Sequence, residues 1–287
     1  KKGKTMKFIK KKDSFDNGVH TKRYYILGIR YLKKIWSSTE NKTYLFGFKT
    51  SEHKIQRLVT DNNKTNEEKA TKFTNYELIK KTDDVLVFPK FKEVQVSIVI
   101  PVYNNWYYTK LCLQSILNNT DGVSYEIIIA DDNSNDETKD IKDYVKNIKV
   151  SRNSTNLRFL KNCNNASKQA SGKYILFLNN DTQVQKGWLK FLVDEMEKDP
   201  SVGLVGSKLI YPDGTLQEAG GIIYSDASGC NYGRNDNPDY IWYNYKKEVD
   251  YISGASILLR TDLWNKMGGF DENFAPAYYE DTDLAFR

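Results

Sequence analysis

Three short apolar runs constrain this chain more than anything else in it: Val96–Val102 (VSIVIPV), residues 125–130 (YEIIIA) and Tyr174–Leu178 (YILFL). Each is dense in β-branched, aromatic or other large apolar residues and is followed closely by a polar turn. That pattern reads as a buried strand. The intervening segments carry apolar residues at roughly helical spacing. Leu111, Leu113, Ile116 and Leu117 do so within 107–118, residues 137–145 follow Asp136 as a plausible N-cap, and a further helix closes at 166–170. Strands alternating with helices over short loops predict a mostly parallel α/β sheet. Open sheets of that kind take their ligands at the carboxyl ends of the strands. Two of the polar turns lie there: residues 131–136 (DDNSND) and Asn179, Asn180 and Asp181, after which a helical pattern begins at Trp188.

The second half is less regular. Residues 202–211 and 222–224 read as strands on either side of the turn residues Pro212, Asp213 and Gly214. Residues 225–245 form a loop rich in Gly, Asn, Asp and Tyr, too long for a plain connection and therefore expected to be functional or mobile. Residues 251–259 predict another strand with Gly254 inside it, and a short helix starts at Thr261 and ends at Gly268 and Gly269.

With 287 residues, 39% hydrophobic and 28% charged, the chain has room for one large domain and an appendage. No apolar run approaches the ~20 residues that span a bilayer, and no signal-peptide core follows the basic start. Three cysteines, far apart, build neither a zinc site nor a disulfide framework, so a reducing cytoplasm is the expected location. The net charge of +6 conceals a division. Residues 1–93 hold 23 Lys/Arg against 11 Asp/Glu, a net +12; residues 94–287 hold 20 against 26, a net −6. A basic N-terminal extension is thus joined to a mildly acidic body, which suggests an anionic partner. No nucleic-acid module is recognisable, so the expected partner is a membrane surface rather than nucleic acid. Residues 24–36 (YYILGIRYLKKIW) are expected to be helical, with Ile26, Ile29, Leu32 and Trp36 on one face despite Gly28. Such a segment suits peripheral contact with the inner face of the cell membrane, or packing on the body. The absence of an initial Met and a helical pattern running to the last residue suggest part of a longer protein, its body cut at the C-terminus.

Three acidic clusters lie in order: Asp131 with Asp132, then Asp181, then Glu280, Asp281 and Asp283. Each has an ordinary reading as turn, N-cap or helix-dipole chemistry. Gathered at one sheet edge, they could divide the reading of a base, the holding of a metal and the movement of a proton. Asp181, with the Asn179 amide two residues earlier, offers oxygen ligands to a hard cation. No glycine-rich phosphate loop is present, since neither Gly220 and Gly221 nor residues 253–256 (SGAS) match one. A bound nucleotide would need its phosphates neutralised otherwise, and a metal at Asp181 would do that. His20 and His53 both fall in the extension, which leaves Asp281 or Glu280 as the base available to the body.

Four blocks in this order, VSIVIPVYNN (96–105), YEIIIADDNSND (125–136), NLRFLKNCNNASKQASGKYILFLNNDT (156–182) and YEDTDL (279–284), resemble glycosyltransferase family 2 across roughly 94–287. Residues 203–221 with 253–274 are similar to its rhamnosyltransferase-like branch. The resemblance implies a GT-A fold, a Rossmann-like mixed sheet flanked by helices, and inverting transfer from a nucleotide-sugar. It implies that Pro101 and Tyr103 line the nucleotide base, that Asp132 hydrogen-bonds it, and that Arg158 contacts base or phosphate where many members have glycine. Asn179 and Asp181 take the ends of the family's DXD motif, with Asn180 between them on the donor. The first Asp is replaced by Asn, so ligation of Mg²⁺ or Mn²⁺ rests mainly on Asp181. Asp281 matches the proposed general base, and Glu280, Gly254 and Trp242 are the acceptor-side candidates. The implied donor is a UDP- or dTDP-sugar, and the implied acceptor is a glycan or lipid-linked glycan of a cell-surface polysaccharide. Two other readings stand beside it. A sugar-phosphate nucleotidyltransferase would want a basic, glycine-rich loop after the first strand, and residues 102–106 are neither. A non-catalytic carbohydrate-binding module would use the Tyr/Trp-rich stretch 232–245 for stacking.

Overall fold

The computed structural model describes residues 84–287 and the backbone of five strands between residues 9 and 54. Two compact units divide at Lys64 and Thr65. In the first, β1 (Ile9–Asp16), β2 (Val19–Ile26), β3 (Ile29–Trp36), β4 (Glu40–Leu45) and β5 (Phe48–Lys54) form one sheet, each strand antiparallel to the next. The helix expected over 24–36 is therefore corrected: that stretch belongs to β2 and β3, with Tyr24 opposite Leu32 and Ile26 opposite Ile29. Tyr24, Tyr25, Ile26, Ile29, Tyr31, Ile35 and Trp36 are aromatic or β-branched, and such residues favour a pleated ladder over a helix. Residues 27 and 28, within the expected helix, lie outside the described residues, as do 55–83.

The boundary expected at residue 94 also shifts, because the preceding ten residues are part of the body. There β6 (Leu86–Val87) pairs in parallel with β9 (Val145–Lys146), and Phe88 is buried in the main core. Lys90, Lys92 and Glu93 give this stretch the composition of the extension and hide its packing role.

The body's central sheet runs in the order β10 (Lys149–Arg152), β8 (Tyr125–Asp131), β7 (Val96–Val102), β11 (Tyr174–Leu178), β17 (Ser256–Arg260), β12 (Leu204–Gly206). The first four are parallel; β17 runs antiparallel to β11, and β12, antiparallel to β17, runs with the first four again. Alternating side chains fill two separate cores. On one face Ile98, Ile100, Ile127, Ile129, Leu176 and Leu258 meet α1 (Trp106–Asn119) and α4 (Trp188–Lys198). On the other, Val99, Ile128, Ile175, Phe177, Ile257 and Leu259 meet α3 (Arg158–Ser167) and α5 (Thr261–Met267), with Phe177, Trp264 and Phe270 in mutual ring contact. Burial on both faces explains why these strands read as unbroken apolar runs. Each such Ile or Leu contributes about 1.5–3 kcal/mol. The short α2 (Ile141–Tyr144) stands where the sequence predicts a longer helix, because Glu137–Asp140 is a 3₁₀ turn capped by Asp136. Among the described residues no helix is long and apolar enough to cross a membrane.

Sheet growth from β7 runs outward to β8 and β10, then returns to β11 on the other side. The site's position follows, since a crevice opens at the strand ends where winding reverses. Because β17 is antiparallel, it starts where β11 ends, with Ser256 opposite Leu178. Residues 253–255 thereby join the carboxyl edge of the parallel strands.

Candidate active site

The loops at this edge are tied together by short polar side chains. Asn104 and Asn105 both adopt left-handed backbone (φ 59° each), a conformation Asn tolerates better than most residues. Asn104 N–H donates to Ser134 Oγ (2.8 Å), its Oδ1 accepts from Asn135 N–H (2.8 Å), and Trp106 N–H donates to Asp136 Oδ2 (3.1 Å). The turn after β7 is thus stitched to the turn after β8. Tyr103 stands 48% exposed on this edge, beside half-buried Pro101.

Asp131 and Asp132 fasten the next loop. Arg152 pairs with Asp131 and also donates to Ser134 O (2.7 Å). Asp132 is 3% exposed; its Oδ1 accepts from Asn153 Nδ2 (2.9 Å) and Leu157 N–H (2.7 Å), and its Oδ2 from Arg158 N–H (2.8 Å). Three of roughly four lone-pair positions are therefore used by the chain itself, leaving one on Oδ2. Arg158 holds a left-handed φ of 67°, which glycine adopts without steric cost, while its side chain is exposed.

After β11, Asn179 N–H continues the ladder to Ala255 O (3.0 Å), and Asn180 Nδ2 donates to Thr109 Oγ1 (2.9 Å) on α1. Asp181 is exposed, and no hydrogen bond or ion pair among the described residues engages its carboxylate. Among those residues no three His, Cys, Asp or Glu side chains converge on a preformed cation cage. An open carboxylate with few protein partners fits a cation of the Mg²⁺ type, which is held by one or two carboxylates plus substrate phosphates.

The third cluster begins α6 (Glu280–Phe286), entered through Tyr278 and Tyr279, both left-handed. Asp281 is half-buried. Its Oδ2 accepts from Gly254 N–H (2.9 Å) and its Oδ1 from Thr282 N–H (2.7 Å). Asp283 pairs with Arg287. Glu280 is buried at 6% exposure, and burial, followed by the Asp281 charge, raises its pKa. Trp242 is exposed and lies against Tyr240 (ring centroids 4.7 Å) in the long loop.

The family model described as Glycosyl transferase family 2 matches residues 97–266. The chain belongs to glycosyl transferase family 2. That is the family its four blocks resemble. Among relatives, the "O-antigen biosynthesis protein RfbC" of Myxococcus xanthus is 35% identical over 128 residues, covering 42% of this chain and 10% of that protein. The "GalNAc(5)-diNAcBac-PP-undecaprenol beta-1,3-glucosyltransferase" of Campylobacter jejuni is 28% identical over 134 residues, covering 43% of this chain and 41% of that one. The chain thus spans less than half the length of either. Among solved structures, a crystal structure of GalNAc-T7 with UDP, GalNAc and Mn²⁺ has the same fold at a TM-score of 0.51 and 16% identity, covering 69% of this chain and 41% of that one. The expected GT-A architecture is the one found.

Beside the loop 253–255 lies an acidic residue that the sequence reading passed over. Glu218, in β14 (Leu216–Glu218), is 1% exposed. Its Oε1 accepts from Ser253 N–H (3.3 Å) and its Oε2 from Asn231 Nδ2 (2.7 Å). Burial pushes its pKa up to about 7; the Ser253 N–H pulls it down and the Asp281 charge pushes it up. The only sequence signal was its placement beside Gly220 and Gly221. There a Cβ would collide with Val249 and with the Tyr251 ring.

Proposed function

We propose that this chain is an inverting glycosyltransferase that moves a sugar from a nucleoside-diphosphate donor to a hydroxyl acceptor in cell-surface polysaccharide or glycan synthesis. The observation that carries the reading is the single loop 253–255, which bonds Asn179 through Ala255 O and Asp281 through Gly254 N–H. An open carboxylate at the end of β11 and a half-buried carboxylate on α6 are thereby tied to one loop. The donor's base would lie against Pro101 and Tyr103, with the free lone pair of Asp132 and the exposed Arg158 guanidinium within the same loop cluster. Asp181, aided by Asn179 and next to Asn180, would hold Mg²⁺ or Mn²⁺, which when bound offsets the charge developing on the diphosphate leaving group.

Asp281 takes the proton of the acceptor hydroxyl as that oxygen attacks the anomeric carbon opposite the departing diphosphate. A single displacement inverts the anomeric configuration. Gly254 N–H fixes the orientation of the carboxylate by holding Oδ2 in place. The exposed Tyr240 and Trp242 rings offer stacking area to a sugar acceptor. Among donors, UDP- and dTDP-sugars are the first to screen, read as released nucleoside diphosphate. Asp281→Asn should abolish transfer while leaving donor binding nearly intact; full turnover by that variant would sink the base assignment. The net +12 of residues 1–93 supports a role in holding the enzyme to an anionic membrane face, where lipid-linked acceptors lie. Unchanged co-sedimentation with anionic liposomes after deletion of residues 1–40 would reject that role.

A further inference from the structure

The peptide groups of Ser253 and Gly254 are held from two sides by two different carboxylates. Ser253 N–H donates to Glu218 Oε1 (3.3 Å) and Gly254 N–H donates to Asp281 Oδ2 (2.9 Å). Glu218 comes from β14, which pairs antiparallel with β13 (Leu209–Ile210) away from the central sheet. Its second oxygen accepts from Asn231 at the end of β16 (Gly229–Asn231), and Asn231 Oδ1 accepts from Tyr251 O–H (3.3 Å). The titratable and charged groups that face Glu218 are Asp281 from α6, Arg234 from the long loop and Tyr251 from the segment before Ser253. Arg234 makes no ion pair with it, and among the described residues no cation pairs directly with this buried carboxylate.

We propose that Glu218 is a positioning residue for the general base: it holds the Ser253–Gly254 dipeptide against Asp281, and its charge sets how firmly that dipeptide is held. This rests on the reading of Asp281 as the base. An ionised carboxylate accepts a hydrogen bond more strongly than a neutral one, so an ionised Glu218 holds Ser253 N–H more tightly. Burial keeps Glu218 protonated up to about pH 7, the largest influence on it, and the Asp281 charge adds to this. The strengthening therefore switches on as pH rises through that value. Glu218 is not a catalytic residue, because its 1% exposure keeps it from the acceptor.

The test is the pH profile of kcat for the full chain, using the UDP- or dTDP-sugar it turns over and reading released nucleoside diphosphate. The wild type should show a several-fold rise centred near pH 7. Glu218→Gln keeps an acceptor for Ser253 N–H but carries no charge, so the rise should vanish while turnover below pH 7 remains. Asn231→Ala removes a donor that favours the ionised carboxylate, so the rise should move to higher pH. A uniform loss at every pH in both variants, or a rise unmoved in both, would overturn the proposal. If Glu218→Gln does not fold, Asn231→Ala decides alone. Asp281→Asn separates the two readings. Full turnover in that variant ends the base reading and this proposal together. Abolished turnover with the rise unmoved in the other two variants ends only the role of Glu218.

Discussion

Asn179 and Ala255 are joined backbone to backbone, N–H to carbonyl at 3.0 Å, one residue from the amide that holds Asp281. The strand end that presents Asp181 and the helix that presents Asp281 are thus two hydrogen bonds apart. Any shift of residues 253–255 moves both carboxylates relative to each other. Misplacement of about 1 Å between reacting groups can cost on the order of a hundredfold in rate.

Asp181 should be separable from folding. Its carboxylate is exposed and unengaged, so Asp181→Ala should leave the unfolding free energy within about 0.5 kcal/mol of wild type. Divalent-dependent binding of nucleoside diphosphate should weaken by more than the roughly 10–100-fold that loss of a ligand's outer partner costs. Calorimetric titration with UDP, with and without Mn²⁺, checks this. Equal Mn²⁺-dependent affinity in the variant would remove Asp181 from the ion's site.

Asp132 should behave in the opposite way. Truncation to Ala leaves Asn153 Nδ2 and the Leu157 and Arg158 amides without their acceptor. Buried donors left unpaired cost about 1–3 kcal/mol each, and water can reach part of the loop, so a loss of about 2–4 kcal/mol is expected. Urea unfolding measures it; a loss below about 1 kcal/mol would show that the loop holds itself without the clamp.

Gly172 allows the chain to pass close to β7. A Cβ there would lie 2.7 Å from the Ser97 amide nitrogen and 2.9 Å from the Val96 carbonyl carbon, both backbone atoms that cannot rotate away. Gly172→Ala should destabilise by about 1–3 kcal/mol, the usual cost of overpacking. An unchanged thermal midpoint would contradict the register of β7 against β11.

Glu218 should leave a mark on stability as well as on rate. Its pKa is raised from an ordinary 4.5 to about 7 by burial. The folded state therefore binds more protons than the unfolded state between those values, and this group's contribution is full below pH 4.5 and lost as pH rises through 7. Glu218→Gln cannot titrate. Its stability relative to wild type should therefore improve steadily from about pH 4.5 to 7 and then level off. Chemical unfolding at a series of pH values checks this; a constant difference across that window would mean Glu218 titrates normally.

The sequence by itself determined the parallel half of the body and the edge where the site lies. Strands buried on both faces must be continuous apolar runs, so Val96–Val102 and Tyr174–Leu178 announce themselves locally. The turns that end them hold Asp132, Asn179 and Asp181 for the same local reason. What only the tertiary structure decided depends on residues far apart in the chain. The antiparallel placement of β17 brings Gly254 to Asp281. The pairing of Leu86 and Val87 with Val145 and Lys146 moves the body's start earlier. The strand pairing at residues 19–36 replaces an expected helix, since a mixed aromatic and basic run satisfies either period until a partner strand is present. Glu218 is the clearest case. In the triplet Leu216, Gln217, Glu218 nothing local marks the glutamate as a buried acid beside the site. It is buried only because Asn231 and Ser253 close over it, and burial, not its sequence neighbours, gives it a proton to hold near neutral pH.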